Sequence, residues 1–250
     1  VRNHGLGKLV YGALASKVMT TSESIRTGLI DAGIEAGKIV SIPTGVDMAK
    51  YADRTRSNAF RTEFGIPAQA RLVGMVSVLR GDKGPDVYLK AMSLALAGRE
   101  DIWAVLVGDG WMRSELENLL VGLPNRERIV ITGYRRDIPE ILAELDLSVI
   151  SAKAPEGVPQ IVLQSFASRV PMVASAVGGV SEVAIGDQTA LSVPPDDAQA
   201  LAVAVLRLLD DKVLADFLVD NAYRLIVENY AMDVMLRRMD ALYRALAAQR

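Results

Sequence analysis

One glutamate, Glu156, stands in a short loop, residues 152–158, between an apolar β-branched run at 145–150 and a helical pattern in which Ile161, Val162, Leu163 and Phe166 recur. Such a loop leaves the carboxyl end of a strand and opens a helix at Pro159. The first N–H groups of that helix, with those of Gly157 and Val158, are free to hold an anion. A second apolar strand at 171–175 runs into Gly178 and Gly179, whose lack of side chains lets backbone approach a phosphate or a sugar. Two neighbouring strand ends then face one crevice, the usual ligand position in an open parallel sheet. A third strand end carries Arg80 and Lys83 in a turn flanked by Gly81 and Gly84. Together these residues offer capture of a polar, anionic ligand. Taken singly, Lys83 reads equally as a solvated turn lysine, and Glu156 as a helix N-terminal acid favoured by the macrodipole.

The elements that must position them alternate along the chain. Strands are expected at 17–20, 39–42, 71–77, 102–107, 128–132, 145–150, 171–175 and 190–193. Helices are expected from Ser22 or Ser24, and at 85–96, 112–121, 138–142 and 159–168. Residues 198–248 read as almost wholly helical, with polar breaks at 210–211 and 228–233. Strand, glycine turn and helix in this order predict an α/β fold with a doubly wound parallel sheet. The turn-rich piece at 43–57 reads as a boundary, placed near Pro43.

Composition narrows the chemistry. The 250 residues can bury a sizeable core, and a formal charge of −2 with interspersed signs gives no field to attract nucleic acid. There is no cysteine, so disulfides, thiol nucleophiles and cysteine metal sites are excluded. The one histidine, His4, leaves the main body without a Ser-His-Asp triad or a histidine metal cluster. No run approaches the roughly 18 apolar residues of a membrane span, and no signal peptide is visible. A cytoplasmic protein is expected, one that can lie peripherally at the inner face of a membrane. The chain opens on Val1 in an incomplete pattern, from which a piece of a longer chain is expected.

The stretch ISAKAPEGVPQIVLQSFASRVPMVASAVGGVSE, residues 150–182, resembles the donor-site motif of the retaining glycosyltransferases of family 4, of GT-B fold. There two glutamates stand eight positions apart at the head of a helix. Glu156 matches the first, and Gln164 occupies the place of the second. SIPTGVD at 41–47, LRGDKG at 79–84, and VGDG at 107–110 followed by ITGYRRD at 131–137 resemble the same family in the same order.

The resemblance implies two α/β domains facing each other across a cleft, the first for the acceptor and the second for the nucleotide sugar. Residues 43–231 would be the nucleotide-sugar-binding domain, 1–42 a remnant of the acceptor domain, and 232–250 a helix packing back toward it. It implies catalysis without a metal or other cofactor, the charge on the leaving diphosphate being met by side-chain cations. Lys83 is one of them. The family's arginine, five positions earlier, is Val78 here; Arg80 either replaces it or points to solvent, leaving the diphosphate to Lys83 and the N–H groups of Gly157 and Val158. Glu156 would bond donor-sugar hydroxyls and counter the cation-like sugar at the transition state. Gln164, two turns down the same helix face, would meet the ribose hydroxyls through the weaker bonds of an amide.

Gly133, Tyr134 and Arg135 end a strand where the resemblance puts the nucleobase, with Tyr134 as a partly buried packing residue the alternative. Asp109 and Gly110 read as a strand-to-helix turn, and Ser181 and Glu182 as a helix start behind the Gly178–Gly179 pair. His4 reads first as a surface histidine, although in the family a first-domain histidine can contact the donor sugar.

The function implied is the donor-binding part of a retaining transferase. It would move a sugar from a UDP-, GDP- or ADP-linked donor to a glycan or lipid-linked acceptor, as in polysaccharide or lipopolysaccharide synthesis, and the fragment alone would transfer nothing. Two other classes stay open. One is a nucleotide-sugar-binding module without turnover, since Val78, Gln164 and the missing acceptor domain each subtract from catalysis. The other is a nucleotide-sugar epimerase, disfavoured because the main body has no histidine for acid–base work.

Overall fold

Runs such as Arg71–Val76 and Ile102–Val107, apolar on both alternating sets of side chains, are stable only where a sheet is covered on two faces. The computed structural model, which describes residues 9–52 and 54–248, contains that sheet. Its strands are β3 (Arg71–Val76), β4 (Ile102–Val107), β5 (Ile129–Gly133), β6 (Leu147–Ile150), β7 (Met172–Ser175) and β8 (Leu191–Val193). All pair in parallel, in the order β5-β4-β3-β6-β7-β8. A smaller parallel pair, β1 (Val18–Thr20) and β2 (Ile39–Ser41), precedes it, joined by α1 (Glu23–Asp31). Ser22 caps α1 by accepting the Ile25 N–H at 3.1 Å, which decides between the two serines in the sequence.

After β2 come the helices α2 (Ala59–Glu63), α3 (Pro85–Ala95), α4 (Arg113–Val121), α5 (Ile138–Glu144), α6 (Gln160–Ala167), α7 (Ala198–Asp210), α8 (Lys212–Asn229) and α9 (Met232–Ala247). One sheet face buries Leu72, Val105 and Val107 under Ile141 of α5, Phe166 of α6 and Ile226 of α8. The other buries Val73, Met75 and Leu106 under Tyr88 and Met92 of α3 and Val205 of α7. The doubly wound sheet expected from the alternation is therefore observed, with most boundaries within a residue or two. The strand expected from 145 begins at Leu147 because Asp146 serves β3 with its side chain: its carboxylate accepts the Leu72 N–H at 2.7 Å.

Two features that position the site had no place among the expected elements. The short helix α2 is held by Arg61, 1% exposed, whose guanidinium donates to the Glu144 carboxylate (3.0 Å), the Glu144 carbonyl (2.8 Å) and the Ala70 carbonyl (2.7 Å). Glu144 in turn accepts the N–H groups of Ser57 (3.0 Å) and Asn58 (2.7 Å). Second, residues 43–47 cross the junction of α8 and α9: Val46 donates to the Tyr230 carbonyl at 2.8 Å and accepts from Met232 at 2.9 Å. A side chain at Gly45 would put its Cβ 2.7 Å from the Met232 Cα, so the two passes touch backbone to backbone.

Candidate functional site

The strand order reverses between β3 and β6, and the loops that leave these two strands at their carboxyl ends part to either side of that point. They are fastened together. Gly84, at φ +65°, lies so close to Ser151 that a Cβ would come within 2.0 Å of the Ser151 carbonyl. The Ser151 hydroxyl donates to the Gly84 carbonyl at 2.8 Å, and Lys153 N–H to the Asp82 carbonyl at 2.8 Å. This turn directs Lys83 across the crevice onto Glu156, and the two form an ion pair whose side chains are only 18% and 20% exposed.

Lys83 from the 79–84 motif and Glu156, Pro159 and Gln164 from the 150–182 motif line one cavity of about 320 Å³ with Val78 and Gln160. That is within the usual range for a small-molecule site. A second cavity of about 450 Å³ adjoins it over the ends of β3, β4 and β5, sharing Val76, Ser77 and Val78. Asp109, Tyr134 and Arg135 line its far side. The two adjoin as one trough that begins at the switch point, with the Lys83–Glu156 pair at one end and the exposed ring of Tyr134 (71% exposed), beside Asp109 and Arg135, at the other.

Residues 57–225 match the family model described as glycosyl transferases group 1. The chain belongs to that family. Among similar proteins, the alpha-D-kanosaminyltransferase of Streptomyces kanamyceticus is 29% identical over 80% of this chain and 52% of its own length. The lipopolysaccharide core biosynthesis mannosyltransferase LpsB of Rhizobium meliloti is 26% identical over 81% of this chain and 59% of its own. The chain thus spans little more than half the length of these relatives. Among solved structures, Anabaena HepE in complex with UDP-glucose superposes with a TM-score of 0.88 at 23% identity, over 96% of this chain and 66% of that one. It carries the same fold.

Within this group 1 chain the geometry alters several sequence expectations. Helix α6 begins at Gln160, because Pro159 is extended (φ −71°, ψ 133°) and stands outside as the cap; Glu156 and Gln164 therefore do not share a helix face. The Val158 N–H is not free for a phosphate: it donates to the Thr21 carbonyl at 3.4 Å. Gly157 lies against the same segment, where a Cβ would sit 2.4 Å from the Thr21 hydroxyl and 3.3 Å from Ile25. Gly178 and Gly179 give close approach to the loop that bears Glu156. The Gly179 N–H donates to the Glu156 carbonyl at 2.8 Å, and a Cβ on Gly178 would meet Glu156 backbone at 2.8 Å.

Arg80 lies off both cavities. Its guanidinium donates to Asp82 at 2.8 Å and stacks 5.9 Å from the centre of the Trp111 ring. Arg135 lines the second cavity but is bound to Asp137 (2.9 and 2.7 Å) and Glu63 (2.5 and 3.0 Å), over the adjoining rings of Phe60 and Phe64. Its hydrogen bonds hold the Asp137 carboxyl below the usual carboxylate range and push its own guanidinium up. It fastens β5 to α2. Tyr134 is exposed, which excludes the packing alternative. Gly133, at φ +82°, accepts the Gly108 N–H at 3.0 Å and turns the chain at the cavity edge. Asp109 makes its turn by accepting the Gly110 N–H at 2.7 Å. No α-helix starts at Ser181; the chain makes one tight turn there, and Glu182 reaches α1 instead. His4 lies outside the described residues.

Ser77 and Gln160 are cavity residues that the sequence reading missed. For Gln160 a signal existed: it precedes Gln164 by one helical turn, so both side chains leave α6 on one face. Its amide nitrogen donates to the Gly45 carbonyl at 3.2 Å, tying the cavity to the 41–47 stretch.

Proposed function

We propose that this chain is the donor-binding part of a retaining, metal-independent glycosyltransferase of family 4. It takes a UDP-, GDP- or ADP-sugar and passes the sugar to a glycan or lipid-linked acceptor in bacterial surface-polysaccharide synthesis. The observation that carries the reading is the convergence of Lys83, Glu156 and Gln164 on one cavity at the switch point of the parallel sheet. In this reading Lys83 meets the diphosphate, Glu156 the sugar, Gln164 the ribose, and Tyr134 with Gly133 the base. Ser77 and Gln160 add polar wall. The relatives named above, a kanosaminyl- and a mannosyltransferase, and the UDP-glucose held by HepE support this assignment of the donor class.

Residues 43–231 form the donor domain in this proposal, 1–42 part of the acceptor-side domain, and 232–250 the helix returning toward it. The working place is the cytoplasm, with peripheral membrane contact through the acceptor side. Among the described residues no helix is long and apolar enough to cross a bilayer.

Calorimetry with UDP, GDP and ADP, with and without a chelator, tests the proposal. Binding of one nucleoside diphosphate with unchanged affinity in the chelator is expected; loss of affinity with the metal removed, or no binding of any of the three, would overturn it. Arg80→Ala should leave that affinity within about two-fold, since the side chain is engaged by Asp82 and contributes at most as an exposed ion pair does. A larger loss would put Arg80 back on the diphosphate.

Glu156→Gln has a two-sided expectation. In the free protein the Glu156 carboxylate competes with the diphosphate for Lys83, so the variant should bind a bare nucleoside diphosphate about two- to five-fold tighter, the scale of a partly screened ion pair. It should bind the nucleotide sugar more weakly. Equal losses for both ligands would refute the division of roles.

A second reading, nucleotide-sugar binding without turnover, is favoured by Val78 and Gln164 together with the engagement of Arg80 by Asp82, which leave Lys83 as the cation lining the cavity among the described residues. Donor hydrolysis by the full-length protein separates it from the first.

A further inference from the structure

Helix α1 is capped from far along the chain. The Glu182 carboxylate accepts the N–H groups of Glu23 at 2.9 Å and Ser24 at 2.7 Å, with Ser22 serving Ile25 beside them. A carboxylate there meets both the unpaired donors of a first helical turn and its positive dipole end. The residues so fixed are the ones that cover the Glu156 loop. Thr21 gives its carbonyl to the Val158 N–H, and Thr21 and Ile25 leave room only for hydrogen at Gly157. From the opposite side the loop is held by Gly179, whose N–H donates to the Glu156 carbonyl and whose own carbonyl accepts the Glu182 N–H at 3.3 Å. Glu182 thus belongs to both jaws of a clamp: its backbone to the turn that grips Glu156, its side chain to the helix that covers Gly157.

We propose that Glu182 is a positioning residue for Glu156, setting the backbone that presents this carboxylate to the donor sugar by tying the 18–42 segment to the turn at 178–182. The inference rests on the assignment of Glu156 to the sugar, and it adds a role for a residue outside the cavity. It also joins the two parts of the chain at the point where a donor would sit, so that displacement of α1 is felt by Glu156.

Hydrogen exchange on the full chain tests the clamp without any ligand. Glu182→Gln, which keeps the shape and removes the charge, should speed exchange of the Glu23 and Ser24 amides roughly five-fold, the scale of a carboxylate leaving a helix N-terminus. The amides of Val158 and Gly179 should speed with them, while those of β3 keep their rates. Glu182→Asp, a shorter carboxylate, should fall between wild type and Gln. On the ligand side, Glu182→Gln should lose several-fold in affinity for the nucleotide sugar and nothing for the bare nucleoside diphosphate, a split that general destabilisation would not produce. Faster exchange at Glu23 and Ser24 with unchanged rates at Val158 and Gly179 would make Glu182 a cap and nothing more, overturning the proposal. Equal losses for both ligands would overturn it too. If the wild-type protein binds no nucleotide sugar, the donor reading itself fails, and the exchange rates still decide the clamp.

Discussion

Lys83→Ala is expected to weaken nucleoside diphosphate binding by about 1.5–3 kcal/mol, the range for a hydrogen bond to a charged group, or roughly ten- to a hundred-fold. Two effects add. The variant removes the cation on the cavity, and it leaves Glu156, only 20% exposed, as an uncompensated negative charge facing an anionic ligand. The second effect has its own signature. Combining Lys83→Ala with Glu156→Gln should recover part of the lost affinity, because the repelling charge is gone, and the double-mutant cycle measures that part as a coupling energy. Calorimetry on the four proteins is the measurement. Wild-type affinity in Lys83→Ala would mean that the lysine serves Glu156 alone.

The second large effect falls on stability. Arg61→Ala should cost about 3–5 kcal/mol of unfolding free energy, because it strands the buried charge of Glu144, itself 1% exposed. The Ala70 carbonyl loses its partner in the same step. Urea unfolding followed by circular dichroism reads the loss. Adding Glu144→Gln should restore part of it, since the amide oxygen can still accept from Ser57 and Asn58 while the stranded charge disappears. A loss below about 1 kcal/mol for Arg61→Ala would show that the network is solvated and carries no fold.

The parallel sheet was legible because its strands are buried on both faces and so appear as unbroken apolar runs. Lys83 and Glu156 lie in loops that leave such runs, which makes them legible as candidates; Gln164, inside α6, is legible through its place in the family motif. What stayed hidden was pairing between distant positions. Nothing local at Lys83 shows that Glu156 is its partner, and nothing at Glu182 points to Glu23 and Ser24, some 160 residues earlier. Arg80 differs in that its partner, Asp82, is near in sequence and keeps the side chain on its own turn, off both cavities. Helix α2, five residues long, is too short for any periodic signal and is held by a buried arginine, a residue type that pattern reading places outside. At Pro159 the rule that proline favours the first helical position put the start one residue early.

The crossing of residues 43–47 with the junction of α8 and α9 has a mechanical meaning. A single strand of linker is a universal joint, free to bend and twist. Two backbone passes bonded side by side, Val46 against Tyr230 and Met232, behave as a strip that folds about one line and resists rotation about the others. The pieces beyond that strip, the β1–α1–β2 unit on one pass and α9 on the other, are therefore geared to move as one body. Because Gly45 touches both Met232 and the amide of Gln160, the axle of that motion runs along the wall of the cavity that holds Lys83 and Glu156. A swing of those pieces is thus transmitted to the wall that Gln160 shares with Lys83 and Glu156.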